Sequence, residues 1–164
     1  MLTRTRKVGA ISLVILLVAS EPASAGTPLW RDVEAGMPFE QVRSLYPDAH
    51  VHSGKGLIRP MLYIAEYDID GCKASVDILL DRKVSEPGAK VDSVHLSGEK
   101  CDAKLFAQLL ARYGEPQANN DDNRKEKKKK AVWVAEGKTI TFKVEYGSPD
   151  YWELTYSPIK DLGL

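Results

Sequence analysis

The chain has 164 residues, with 23 basic and 23 acidic side chains and 43% hydrophobic residues. Its length suits one domain large enough to bury a core. The even charge balance excludes a nucleic-acid binder, which needs a basic excess on one face.

The first 25 residues have the three zones of an export signal. Arg4, Arg6 and Lys7 precede an apolar run from Val8 to Ala19, and Ala23-Ser24-Ala25 supplies the small-x-small cleavage pattern. Glu21 and Pro22 interrupt the apolar run before it reaches spanning length. The expectation is a signal peptide over 1–25 and a single soluble, periplasmic or secreted domain over 26–164, with no transmembrane segment after cleavage. Both cysteines, Cys72 and Cys101, fall in the exported part. In an oxidising compartment an even count favours a disulfide, with two separate buried thiols as the alternative.

In chain order, Gly36-Met37-Pro38-Phe39 opens a short helix whose apolar face is Phe39, Val42, Leu45 and Tyr46, and Pro47 stops it. Met61, Tyr63, Ala65, Tyr67 and Ile69 alternate with Leu62, Ile64, Glu66, Asp68 and Asp70 as a strand does. Asp70-Gly71 reads as a two-residue hairpin turn. Cys72, Ala74, Val76, Ile78 and Leu80 then share one face of a second strand, and Val94 and Leu96 point inward from a third over 91–97. Pairing the second and third strands brings Cys72 near Cys101. A longer helix follows, capped by Asp102, with Leu105, Phe106, Leu109, Leu110 and Tyr113 as its apolar stripe and Gly114 and Pro116 at its end.

A polar loop over 117–130 ends in Lys127, Lys128, Lys129 and Lys130. Three more strands are expected: one with Trp133, one with Ile140, Phe142, Val144 and Tyr146 on one face, and one with Trp152, Leu154 and Tyr156. Glu136-Gly137 makes the first turn between them. The order helix, three strands, helix, three strands predicts an α+β domain. It reads as two copies, over 36–98 and 103–157, of a helix plus a three-stranded antiparallel sheet, helices packed on one sheet face. Phe39, Gln41, Val42 and Tyr46 overlay Phe106, Gln108, Leu109 and Tyr113.

The stretch Trp30-Arg31-Asp32-Val33-Glu34-Ala35-Gly36-Met37-Pro38-Phe39-Glu40-Gln41-Val42 resembles the opening motif of the SmpA/OmlA outer-membrane lipoproteins. The doubled layout is similar to the β-lactamase inhibitor protein fold. The resemblance implies an envelope setting and a role in envelope maintenance or inhibitor-like binding. Where those lipoproteins carry a lipid-bearing cysteine, this chain has Gly26-Thr27-Pro28, so no lipid anchor is expected.

For chemistry, Asp48, His50 and His52 would point the same way on an extended segment, as metal ligands do. The alternative is a polar edge with Val51 facing the core. Glu66, Asp68 and Asp70 read as a solvated acidic row, with Asp68 near Lys73 across the hairpin. The lysine run offers either a site for lipid headgroups or other anions, or a solvated loop. Tyr151 points opposite to Trp152 and is the aromatic expected on an exposed binding face. His95 is placed on an outer strand face without a role. Phosphate loops, dinucleotide fingerprints and nucleophile elbows are missing from the sequence. The reading is a non-enzymatic interaction module that needs no cofactor and offers its sheet face or the 117–130 loop to an envelope protein. A small-ligand or metal-binding protein using Asp48, His50 and His52 is the alternative.

Overall fold

The computed structural model describes residues 26–52, 60–120, 128–147 and 149–159. The expected export segment lies outside them, as does Lys127. A small hairpin pairs β1 (Pro28–Trp30) with β2 (Val33–Glu34). Helix α1 (Phe39–Leu45) follows, then β3 (His50–His52), β4 (Met61–Ile69), β5 (Cys72–Leu80) and β6 (Val91–Glu99). Helix α2 (Asp102–Tyr113) leads to β7 (Ala118–Asn120), β8 (Lys128–Ala135), β9 (Lys138–Glu145) and β10 (Tyr151–Pro158).

The expected α+β class, with duplicated helix-plus-sheet units, is wrong. The fold is mostly β, 53% strand against 16% helix, and β3 to β10 form one antiparallel sheet of eight strands in the order β3-β4-β5-β6-β10-β9-β8-β7. Two expected sheets become one because β6 and β10 pair from Tyr151↔Glu99 to Tyr156↔Val94. Periodicity marks a strand but not the edge it will meet. It also misses β1, β2, β3 and β7, which are two or three residues long and too short to show alternation.

Where the strands are long, alternation holds. Cys72, Ala74, Val76, Ile78 and Leu80 are buried, as are Ile140, Phe142 and Val144 on β9 and Trp152, Leu154 and Tyr156 on β10. The register puts them on one face, which also carries Leu62, Val94, Leu96, Ala131 and Trp133. Phe39, Val42, Leu105 and Leu109 from the helices and Leu29, Val33 and Met37 from the N-terminal segment complete this core. Tyr146 does not join it; it lies beyond the end of β9 and is exposed.

Strand β4 departs from strict alternation. A bulge between Ile64 and Tyr67, with Glu66 at φ 54°, sets two residues against Ser75. The face therefore changes phase. Leu62 and Ile64 share the core side with Tyr67 and Ile69, while Tyr63 turns to the other face.

Both tight turns are as the sequence predicts. Asp70 and Gly71 have φ of 51° and 83°, and Glu136 and Gly137 have 54° and 75°, the paired positive values of a hairpin turn that matches strand twist. The helix caps differ by one residue. Pro38 occupies the cap of α1, and Cys101, at φ 65°, occupies that of α2, so Asp102 is the first helical residue and caps nothing.

Cys72 and Cys101 form a disulfide with a Cα–Cα distance of 6.0 Å, tying the start of β5 to the entry of α2. The bond fits an oxidising compartment, and no helix among the described residues is long and apolar enough to cross a membrane. Closing a 29-residue separation is worth about 3–4 kcal/mol in the chain-entropy view. Replacing both cysteines by serine should lower unfolding stability by about 2–4 kcal/mol, read as a fall in the urea midpoint. A midpoint unchanged from the oxidised protein would contradict this.

A second constraint sits where β6 crosses β10. A Cβ on Gly98 would lie 2.6 Å from the Lys73 carbonyl oxygen and 2.8 Å from Trp152 Cζ2. Gly98→Ala is expected to destabilise the fold by about 1–3 kcal/mol through overpacking, while Gly88→Ala, in open space at positive φ, should act by backbone strain alone. Thermal melts of the two variants give the comparison.

Candidate functional site

The face of the sheet opposite the core is organised by strand register. One row crosses it: His50 stands opposite Tyr63, Tyr63 opposite Asp77, Asp77 opposite His95, His95 opposite Thr155, Thr155 opposite Thr141 and Thr141 opposite Val132. Beside it, Ser75 and Ser97 stand opposite each other with hydroxyls 2.9 Å apart, and the register continues to Glu153, Lys143 and Lys130. Tyr63, Asp77, His95, Thr141 and Thr155 are half-buried, while Lys130 and Lys143 are exposed.

Asp77 is the electrostatic centre of the row. Burial raises its carboxyl above the ordinary carboxylate range, and the nearby His95 and His52 act in the opposite direction without cancelling it. The His52 ring lies against Tyr63 with centroids 5.1 Å apart. Two imidazoles, a phenol and a half-buried carboxylate thus share the middle of the face, a set that donates and accepts hydrogen bonds.

The expected site residues are divided by the fold. Within β8, alternation splits the lysine run. Lys128 and Lys130 point to the open face, and Lys128 pairs with Glu145 at 2.9 Å. Lys129 points to the core side, its ammonium 3.8 Å from the Phe106 ring centroid. Lys128 to Lys130 are strand rather than loop, because Asn120↔Lys130 and Asn119↔Ala131 pair β7 with β8. Tyr151 begins β10, 38% exposed, between Glu99 and Glu145 on the open face. Asp48 lies in the turn before β3, whereas His50 and His52 share the open face and Val51 stands opposite Leu62. Among the described residues no group of three or more histidines, cysteines or carboxylates is placed to hold a metal ion.

Tyr63, Asp77 and His95 were not marked as a site by sequence. The outward positions of Asp77 and His95 follow from period two, whereas period two puts Tyr63 on the side of Tyr67 and Ile69. The β4 bulge turns it outward, and a second irregularity between Leu79 and Leu80 sets the register with β6, which no local pattern announces. Against known family models, curated proteins and solved structures, the chain finds no match.

The raised Asp77 carboxyl has a consequence for stability. A carboxyl that holds its proton more tightly when folded contributes stability below the ordinary carboxylate range. That contribution is lost as pH rises through the raised value. Asp77→Asn removes the ionised form, so the variant should melt above the parent at about pH 7 and the gap should close by about pH 3. A gap independent of pH would show that desolvation of Asp77 is not the cause.

Proposed function

We propose that this protein is an exported binding module that holds a folded protein partner on the open face of its sheet. One observation carries the reading: eight hydrogen-bonded strands keep the apolar core on one side and present a continuous polar and aromatic face on the other. Five gaps of about 4.8 Å between strands of about 25 Å, with the short edge strands β3 and β7 adding a little, make a face of roughly 700 Å², close to one partner's share of a standard protein interface. A small ligand would use only a fraction of that area.

The face offers a partner both signs of charge. Lys128, Lys130 and Lys143 stand at one end among Glu99, Glu145 and Glu153, with Lys128 and Lys143 paired to Glu145 and Glu153, and His95 and His52 lie near Asp77 in the middle. Tyr63 and Tyr151 supply the aromatic surface on which interfaces concentrate their affinity. An oxidised Cys72–Cys101 bond and the likeness of Trp30–Val42 to the SmpA/OmlA motif support an envelope partner.

A photo-crosslinking residue at Thr141 should capture one partner in the exporting cell, and the same residue at Arg43 on α1 should not. With that partner purified, Lys130→Glu should weaken binding about threefold to tenfold by loss of charge attraction, and Tyr63→Ala about tenfold or more, without change in melting. Equal capture from Arg43, or affinity indifferent to both variants, would overturn the reading.

A further inference from the structure

A second surface lies on the core side, away from the sheet's open face, where β1 and α2 leave a cleft of about 520 Å³ over the ends of β9 and β10. Leu29, Leu105, Leu109 and Leu154 line its apolar floor, all nearly fully buried. Its polar groups converge from three directions: Arg31 from the turn after β1, Arg112 and Tyr113 from the end of α2, and Glu136, Lys138 and Tyr156 from the sheet.

Lys138 is the feature that calls for an explanation. Its side chain is only 4% exposed, yet it brings an amine-bearing chain end to the base of the cleft. Two of its three ammonium hydrogens are taken, one by the Pro28 carbonyl at 2.9 Å and one by Glu136 at 2.9 Å. The Tyr156 ring, 5.7 Å away, lends some of its negative face. The third hydrogen has no acceptor among the described residues. Burying an ammonium with an unfilled donor is costly unless something polar completes it.

Charge balance points the same way. Glu136 is shared, since Arg112 also approaches it at 3.6 Å, so one carboxylate serves two cations. Arg31 adds a third cation, stacked on Trp30 and Tyr67. The other carboxylate of the cleft, Asp70, accepts from the Gln108 amide at 3.1 Å. Burial holds the Tyr113 and Tyr156 hydroxyls protonated well past neutral pH, so both remain donors. The cleft therefore offers an excess of positive charge and of donors above an apolar floor, in a volume typical of small-molecule sites.

We propose that this cleft binds a small amphipathic organic anion, a carboxylate or sulfonate on an apolar body, with the anionic group received by Lys138 and Arg112 and the body lying on Leu105, Leu109 and Leu154. The site is independent of the sheet-face reading, and each can fail without the other.

The test titrates the disulfide-intact mature chain with 1-naphthoate, and with 1-naphthalenemethanol as the neutral counterpart, by calorimetry and amide NMR. The expected result is one saturable site for naphthoate, with shifts centred on Leu109, Lys138 and Tyr156 and about tenfold weaker binding of the alcohol. Arg112→Glu, with its fold checked by unchanged amide shifts outside the cleft, should weaken naphthoate about tenfold. Arg43→Glu, the same charge change on α1, should leave it unchanged. No saturation into the millimolar range, shifts centred on Tyr63 and His95, or equal affinity for acid and alcohol would each overturn the proposal.

Discussion

The pairing of β6 with β10 is the interaction on which the rest of the structure depends. Without it β3–β6 and β7–β10 would be two separate four-stranded sheets with open edges. With it, backbone hydrogen bonds run unbroken across eight strands. The junction is packed as tightly as backbone allows, because Trp152 lies against Gly98 where any side chain would collide with it. The buried Trp152 indole N–H has no acceptor among the described residues. Leaving such a donor unpaired costs about 1–3 kcal/mol, so indole packing at this junction offsets a real penalty.

Once the sheet is continuous, its two faces acquire different characters. The core face collects Leu, Val, Ile and aromatic side chains from both halves. The opposite face is assembled residue by residue from register, and small irregularities decide its composition. The β4 bulge turns Tyr63 outward and keeps Tyr67 inside, where its ring meets Trp30 at 5.1 Å and Arg31 at 4.8 Å. Lys128 to Lys130, which look like one patch along the chain, become two exposed cations on one face and a third laid over Phe106 on the other.

The N-terminal hairpin has a similar connecting role. Leu29 is buried against the core, and the Pro28 carbonyl accepts from Lys138, more than a hundred residues along the chain. That contact joins β1 to β9, and it leaves the cleft beside α2 in which the buried ammonium sits. The structure therefore holds two chemically distinct surfaces, a broad hydrogen-bonding face and a compact cationic cleft, on opposite sides of one sheet.

What the sequence determined by itself was local. Period-two alternation in 72–80, 140–144 and 152–156 specified which side chains are buried, since a one-residue slip would turn each set into water. Asp70-Gly71 and Glu136-Gly137 specified their turns because glycine tolerates the positive φ both require. The even pair of cysteines, beside an expected export signal, pointed to the bridge that forms. Which strands meet, where a bulge resets the phase and what lies across from Asp77 or Lys138 are relations between distant residues. Tertiary structure decided those, because a strand edge is satisfied equally well by many partners and only packing of the whole sheet against one core selects among them. It turned an expected pair of α+β units into one β-sheet, and it brought Tyr63, Asp77 and His95 into a row that their separate positions in the chain do not reveal.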